Sequence, residues 1–79
     1  MTKNIQFTNQ NFKDVYLHTV DGGGLKYIEV RGITEKDEFH TFTTIYYGTR
    51  KYKYYEQAEP VAKKKMTEVT DILVTAGLL

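Results

Sequence analysis

Hydrophobic and polar residues follow two different periods along the chain. Up to about Glu56 the period is mostly two residues, and after Pro60 it is helical. Three segments of the first part are rich in β-branched or aromatic residues and are bounded by turn formers, which is typical of strands. The pattern therefore predicts strands over Val15–Val20, Leu25–Ile33 and Phe39–Tyr47.

The connections between these segments favour an antiparallel arrangement. Asp21–Gly24 contains three glycines, which tolerate the positive φ angles of a tight hairpin. Thr34–Glu38 is charged, as a solvent-exposed loop should be. In the middle strand, residues 28, 30 and 32 share one face and Tyr27, Glu29 and Arg31 share the other. This alternation predicts a sheet with one solvated face.

Three further segments allow more than one interpretation. Lys51–Tyr54 also alternates, so it either continues the sheet after a turn or bulge at 48–49 or forms the bent end of the third strand. Ile5–Thr8 has the pattern of one more short strand. Thr8–Leu17 fits a short helix capped by Thr8 or a strand that begins at Asp14, and we favour the strand.

The C-terminal region predicts one helix over residues 60–76. Pro60 suits the first helical position and Gly77 suits the position just past the end. The apolar residues recur at intervals of four and three and form one stripe: Ala62, Met66, Val69, Leu73 and Ala76. We therefore expect the α+β class, with an antiparallel meander of three to five strands and this helix packed on one face.

Length and composition indicate a single small domain over residues 1–79. The chain has 79 residues, no cysteine and a net charge of +1. Disulfides are therefore excluded, and a core of this size must rely on its seven Tyr and four Phe, on regular packing or on a second subunit, so a homodimer stays open. The polar N-terminus has no apolar segment of a signal peptide, and no stretch approaches the length of a membrane span, so we expect no membrane association and a cytoplasmic location.

The residue types needed for catalysis are scarce. The chain has no Ser and no Cys, and its three consecutive glycines lead into a strand rather than into the helix that a phosphate loop requires. His18 and His40 could be neighbours across the sheet, but no third ligand is identifiable for a metal. We therefore predict no enzyme activity, no metal and no organic cofactor.

A segment rich in tyrosine and basic residues is the main candidate for contact with a partner. Five of the ten residues from 46 to 55 are Tyr and three are basic. Tyr and Arg anchor protein interfaces, and Tyr beside Lys suits stacking on unpaired bases. The competing interpretation is structural, with one row of Tyr in the core and the Lys row keeping an edge strand soluble. The candidate residues are Tyr47, Arg50, Lys51, Tyr52, Lys53, Tyr54 and Tyr55.

Lys63, Lys64 and Lys65 form a second basic cluster, in the first turn of the predicted helix. Free N–H groups and ammonium groups would converge on an anion there, which makes these lysines a candidate anion site. The alternative is a solvated helix surface, since the three side chains point about 100° apart and Lys64 can pair with Glu68.

Two function classes remain. The first is a small non-catalytic protein that acts through contact with another protein, as a regulator or inhibitor does. Lys, Asn and Ile are plentiful and have AT-rich codons, which suggests an AT-rich bacterial or phage genome. The second is a nucleic-acid-binding module that uses residues 46–55 and Lys63–Lys65. A pI of 7.9 favours the first, because nucleic-acid-binding domains are usually more basic.

Overall fold

A computed structural model describes residues 10–79 as one antiparallel sheet with a helix on one face. The elements are β1 (Phe12–Gly22), β2 (Leu25–Thr34), β3 (Phe39–Tyr46) and α1 (Tyr55–Thr75). The strand order β1-β2-β3 is an open meander. The predicted α+β class is confirmed, with three strands in the described part of the chain. No helix in residues 10–79 has the length and apolarity to cross a bilayer.

Both hairpins follow the turn chemistry of the sequence. Gly23 and Gly24 have φ angles of 59° and 82°, and positive φ at both positions is what a two-residue type I′ turn requires. In the second hairpin, the buried Thr34 hydroxyl accepts the backbone N–H groups of Lys36 and Glu38, both at 3.2 Å. The buried hydroxyl is therefore satisfied and holds the loop closed.

The first strand resolves one of the ambiguous segments. β1 begins at Phe12, which pairs with Thr34, and a register shift follows between Phe12 and Asp14. The strand interpretation is therefore confirmed from residue 12 onward, and the short helix is wrong for these residues. The predicted strand Ile5–Thr8 lies outside the described residues.

The helix begins five residues earlier than predicted, at Tyr55 instead of residue 60. Its first turn is held because the Gln57 Oε1 accepts the backbone N–H groups of Lys53 at 2.7 Å and Tyr54 at 2.9 Å. Ala58 in that turn is fully buried against the sheet. Pro60 has no N–H, so the carbonyl of Glu56 loses its helical hydrogen bond. The helix tolerates this loss because Pro60 and Glu56 are both exposed to water.

The end of the helix agrees with the prediction. Gly77 follows the C-cap with a φ angle of 76°. The N–H of Leu78 bonds to the carbonyl of Leu73 at 2.8 Å and the N–H of Gly77 to that of Val74 at 3.0 Å, which is the Schellman pattern. The Leu78 carbonyl then accepts the N–H of Phe12 at 2.7 Å, so the end of the helix is tied to the start of β1.

The core has two halves along the helix. Near its C-terminal end, Leu73 and Val69 pack with Val30 and Phe12. Near its N-terminal end, the buried residues are Ile28, Tyr47, Ala58 and Ala62. The predicted apolar stripe is thus the packed face, although Met66 is only half-buried and Ala76 is exposed.

The predicted continuation of the sheet over Lys51–Tyr54 is wrong. Residues 47–54 form an irregular connection, in which the N–H of Tyr52 bonds to the Thr49 hydroxyl at 3.1 Å and the N–H of Thr49 to the Tyr52 carbonyl at 3.0 Å. This turn reverses the chain toward α1, so residues 47–54 do not pair with β3. Alternation of Lys and Tyr alone does not distinguish a strand from a turn.

Candidate binding surface on the open face of the sheet

The helix covers only one face of the sheet. Alternate residues of β2 from Ile28 to Thr34 are buried beneath α1, and the intervening residues point the other way. No other helix or strand of residues 10–79 covers that second face. We call it the open face, and cross-strand pairing assigns fourteen residues to it: Asp14, Tyr16, His18, Val20, Gly22, Leu25, Tyr27, Glu29, Arg31, Ile33, Phe39, Thr41, Thr44 and Tyr46.

Arg31 occupies the centre of the open face and is held by Glu29 and by Phe39. Its Nε donates to Glu29 Oε1 at 3.0 Å, and a terminal nitrogen lies 2.8 Å from the same oxygen. Its guanidinium carbon lies 4.3 Å from the centre of the Phe39 ring. The Thr41 hydroxyl donates to Glu29 Oε2 at 3.4 Å, so the carboxylate is fixed as well. The centre of the face is therefore preorganised.

The pKa of Arg31 reports the same environment. Partial burial would lower it, but the hydrogen bond with Tyr16 and the charge of Glu29 outweigh burial, and the pKa is raised overall. Arg31 therefore stays charged, and its charge is compensated within the face. With Arg31 paired to Glu29 and Asp14 as a second carboxylate, the Arg, Asp and Glu side chains of the open face give it no net positive charge.

Aromatic side chains flank this centre. Tyr27 and Tyr46 pack edge to face with ring centres 5.6 Å apart. Phe39 and Tyr46 are 60% and 59% exposed, and both lie on β3. The open face thus presents large aromatic rings around an internally paired arginine.

The predicted Tyr/Lys surface is divided by the fold. Tyr47 is only 6% exposed, and its hydroxyl donates to Asp21 at 3.0 Å. Burial of Tyr47 and this hydrogen bond raise its pKa. Tyr52 and Tyr55 are half-buried against the same half of the core, whereas Tyr54 is 59% exposed. Tyr47 is therefore unavailable to a partner, because its side chain is packed in the core.

The basic residues of this segment remain at the surface. Arg50, Lys51 and Lys53 are exposed in the 47–54 connection, and none of them pairs with a carboxylate of the described residues. The Lys51 ammonium lies 5.4 Å from the Tyr52 ring and that of Lys53 6.0 Å from the Tyr54 ring. The structure thus separates this basic connection from the open face.

Lys63–Lys65 do not lie in the first turn of the helix, where an anion site was predicted. Because α1 begins at Tyr55, Lys63 lies about 12 Å along the axis from the first helical residue, away from the free N–H groups. Lys63 pairs with Glu59 and Lys65 with Glu68, each at 3.6 Å, instead of the expected Lys64 pair. These lysines form a solvated helix surface that is largely neutralised.

The two histidines lie on opposite faces of the sheet. His18 pairs with Glu29 across the open face, whereas His40 pairs with Gly32 on the helix side. The His40 ring packs against Phe42 with ring centres 5.0 Å apart. They cannot share a ligand, and residues 10–79 contain no cluster of three metal-binding side chains.

The alternation in the middle strand already indicated a solvated face with Tyr27, Glu29 and Arg31. It did not identify Phe39 and Tyr46 as the exposed aromatics of that face, because this depends on a bulge in β3 that sequence alone does not reveal. The chain matches no family model, no curated protein and no solved structure.

Proposed function

We propose that the protein is a small non-catalytic binding protein whose open face contacts another protein. The observation that carries this proposal is the exposure of Phe39 and Tyr46, at 60% and 59%, with Phe39 against the fixed Arg31, on a sheet face without a covering element in residues 10–79. Aromatic residues and Arg are the types that most often dominate binding energy at protein interfaces. A regulator or inhibitor would use such a surface.

The charge of the open face supports a protein partner over a nucleic acid. Proteins that bind single strands combine stacking aromatics with a positively charged groove. Here the only arginine of the face is paired with Glu29 at 2.8 Å. A phosphate backbone would meet no net positive charge, whereas a mixed polar and aromatic protein surface would meet complementary groups.

The area of the open face indicates the strength of such a contact. Three strands at about 4.8 Å spacing and eight residues at about 3.4 Å rise cover roughly 14 Å by 27 Å, or about 400 Å². A standard interface uses about 800 Å² on each partner. One open face therefore suits a weak or transient contact, or a partner that also contacts neighbouring loops.

The nucleic-acid function is retained as a second candidate on a different surface. Its support is the basic connection, where Arg50, Lys51 and Lys53 are exposed without a carboxylate partner in residues 10–79 and Tyr54 is exposed beside them. These four side chains have the composition of a stacking and phosphate-binding surface.

Tyr46→Ala and Tyr54→Ala form a matched pair of test variants, because both tyrosines are 59% exposed but only Tyr46 lies on the open face. A photo-crosslinking residue at position 20, which lies on the open face and leaves Tyr46 intact, first identifies the partner in nuclease-treated lysate, and calorimetry then measures its affinity. We expect Tyr46→Ala to weaken binding by about 2 kcal/mol or more, roughly 30-fold, with Tyr54→Ala near wild type.

The opposite result would move the site to the basic connection. If Tyr54→Ala alone weakens binding, the open face is not the contact surface. Binding of a labelled single-stranded oligonucleotide then tests the second candidate. Phosphate contacts would make the affinity fall by orders of magnitude between about 50 and 200 mM salt, with a smaller slope after Lys51→Ala or Lys53→Ala.

A further inference from the structure

The outer edge of β3 has few of the features that protect an edge strand. Natural edge strands carry Lys, Pro, inward-pointing charge or a bulge, or are very short, and of these β3 has only a bulge. β3 has eight residues, FHTFTTIY, with no Asp, Glu, Lys, Arg or Pro. The other edge strand, β1, carries Lys13, Asp14 and Asp21. The two edges of the sheet therefore differ, and β3 is the one suited to pairing.

Two backbone bonds identify which groups of β3 point outward. The N–H of Tyr47 bonds to Lys26 of β2 at 3.1 Å, and the carbonyl of Glu38 accepts the N–H of Thr34 at 2.8 Å. Successive residues of an antiparallel ladder direct their backbone groups to alternate sides. The N–H and carbonyl groups of Tyr46, next to Tyr47, and of Phe39, next to Glu38, therefore point away from β2. The outward residues are Phe39, Thr41, Thr44 and Tyr46, and none of them has another backbone partner in residues 10–79.

The bulge in β3 places these outward positions symmetrically. Val30 of β2 pairs with Thr43, but the next residue, Arg31, pairs with Thr41. Phe42 is therefore an extra residue at the middle of β3. A second β3 that runs antiparallel can keep both bulges opposite each other in one register only. In that register Phe39 lies opposite Tyr46 of the second copy, and Thr41 opposite Thr44. Aromatic pairs and Thr–Thr pairs are among the favourable cross-strand neighbours.

We infer that β3 pairs with β3 of a second copy of this chain and forms a symmetric dimer with a continuous six-stranded sheet. An unrelated strand would need a bulge at the matching position, whereas a second copy supplies it. Four residue pairs would exchange eight backbone hydrogen bonds. Phe39 of one copy and Tyr46 of the other, the most exposed aromatics of the sheet, would lie side by side on the open face, where both rings still face a partner.

The pairing also changes the size of the open face. The two open faces lie on the same side of the joined sheet and together cover roughly 800 Å², the usual contribution of one partner to a standard interface. This consequence rests on the proposed function, whereas the pairing itself does not. An edge contact about 27 Å long is small, so we expect a weak dimer.

Sedimentation equilibrium of the purified protein from about 10 µM to about 1 mM tests the pairing without any partner. The average mass should rise from 9.2 kDa toward twice that value. Over the same range, amide exchange measured by NMR should slow at residues 39, 41, 44 and 46 and stay constant at Leu17. A constant mass, or a dimer in which these four amides exchange as fast as in the monomer, overturns the inference.

Two variants at Thr44 add a direct perturbation. Thr44→Pro removes an outward N–H that β2 does not use, and it should lower the association constant at least about tenfold. Thr44→Lys keeps every donor but places two like charges near the symmetry axis, so it should also lower the association constant. It takes the place of Thr44→Pro if the Pro variant fails to fold. Thr19→Lys on β1 is the control and should associate like wild type. If Thr19→Lys alone prevents the dimer, the pairing edge is β1 and the inference is wrong.

Discussion

Gly32→Ala probes the placement of three elements at once, because two rings meet over this glycine. A Cβ at position 32 would lie 2.8 Å from Phe12 Cδ2 and 2.8 Å from Phe42 Cε2. Phe12 opens β1 and Phe42 lies at the bulge of β3, and their ring centres are 5.4 Å apart. The Phe12 ring cannot move away easily, since Phe12 is only 7% exposed.

The magnitude follows from the overlap. Both contacts are about 0.7 Å shorter than the roughly 3.5 Å at which carbon atoms attract. Overpacking of this kind costs about 1–3 kcal/mol. Replacing Gly by Ala also removes freedom from the unfolded chain, which stabilises by about 0.4–1 kcal/mol. We therefore expect a net loss of about 1–2 kcal/mol in the free energy of unfolding.

Urea unfolding followed by circular dichroism measures this loss. For a chain of this size the slope is about 1 kcal/mol per M urea, so the midpoint should fall by about 1–2 M. Gly22→Ala is the matched control, because no atom lies within 4 Å of its added Cβ and the midpoint should stay or rise slightly. A Gly32→Ala midpoint equal to or above wild type would show that the rings of Phe12 and Phe42 do not meet over position 32.

The remaining predictions concern the helix, a buried phenol and metal content. Leu73 is fully buried, so Leu73→Ala should lower the free energy of unfolding by about 2–5 kcal/mol, whereas Ile72→Ala, at a 44% exposed position, should change it by about 0.5 kcal/mol or less; equal losses in denaturant would contradict the packing of α1. Burial and the hydrogen bond to Asp21 raise the pKa of Tyr47, so the stability that its protonated form contributes is complete below about pH 10 and is lost as pH rises through the folded-state pKa. Thermal unfolding between about pH 8 and pH 11 should show this loss in wild type and not in Tyr47→Phe, and parallel curves would refute it. Elemental analysis of untagged protein should find no stoichiometric metal, and a reproducible one-to-one transition metal would overturn that expectation.

The candidate surface was only partly predictable from residue types. Tyrosine-rich composition makes residues 46–55 a candidate surface, but whether a given Tyr faces solvent depends on where the chain turns. Tyr47 points into the core and Tyr46 onto the open face because they are neighbours in an extended chain, and Tyr54 is exposed because it precedes the first helical turn. Composition ranks such residues equally, whereas burial separates them.

Periodicity determined the architecture of this protein by itself. The two-residue alternation of Leu25–Ile33, the glycine hairpin and the helical stripe through Val69 and Leu73 each act over a few residues, so they are readable locally. Tertiary structure decided the rest. The helix starts at Tyr55 because Ala58 gains a place under the sheet, and that burial outweighs the preference of Pro60 for the first turn. The bulge in β3 arises from pairing with β2. Phe39 and Tyr46 are seven residues apart, and in a regular strand an odd spacing would place their side chains on opposite faces. The inserted residue of the bulge brings both to the same face.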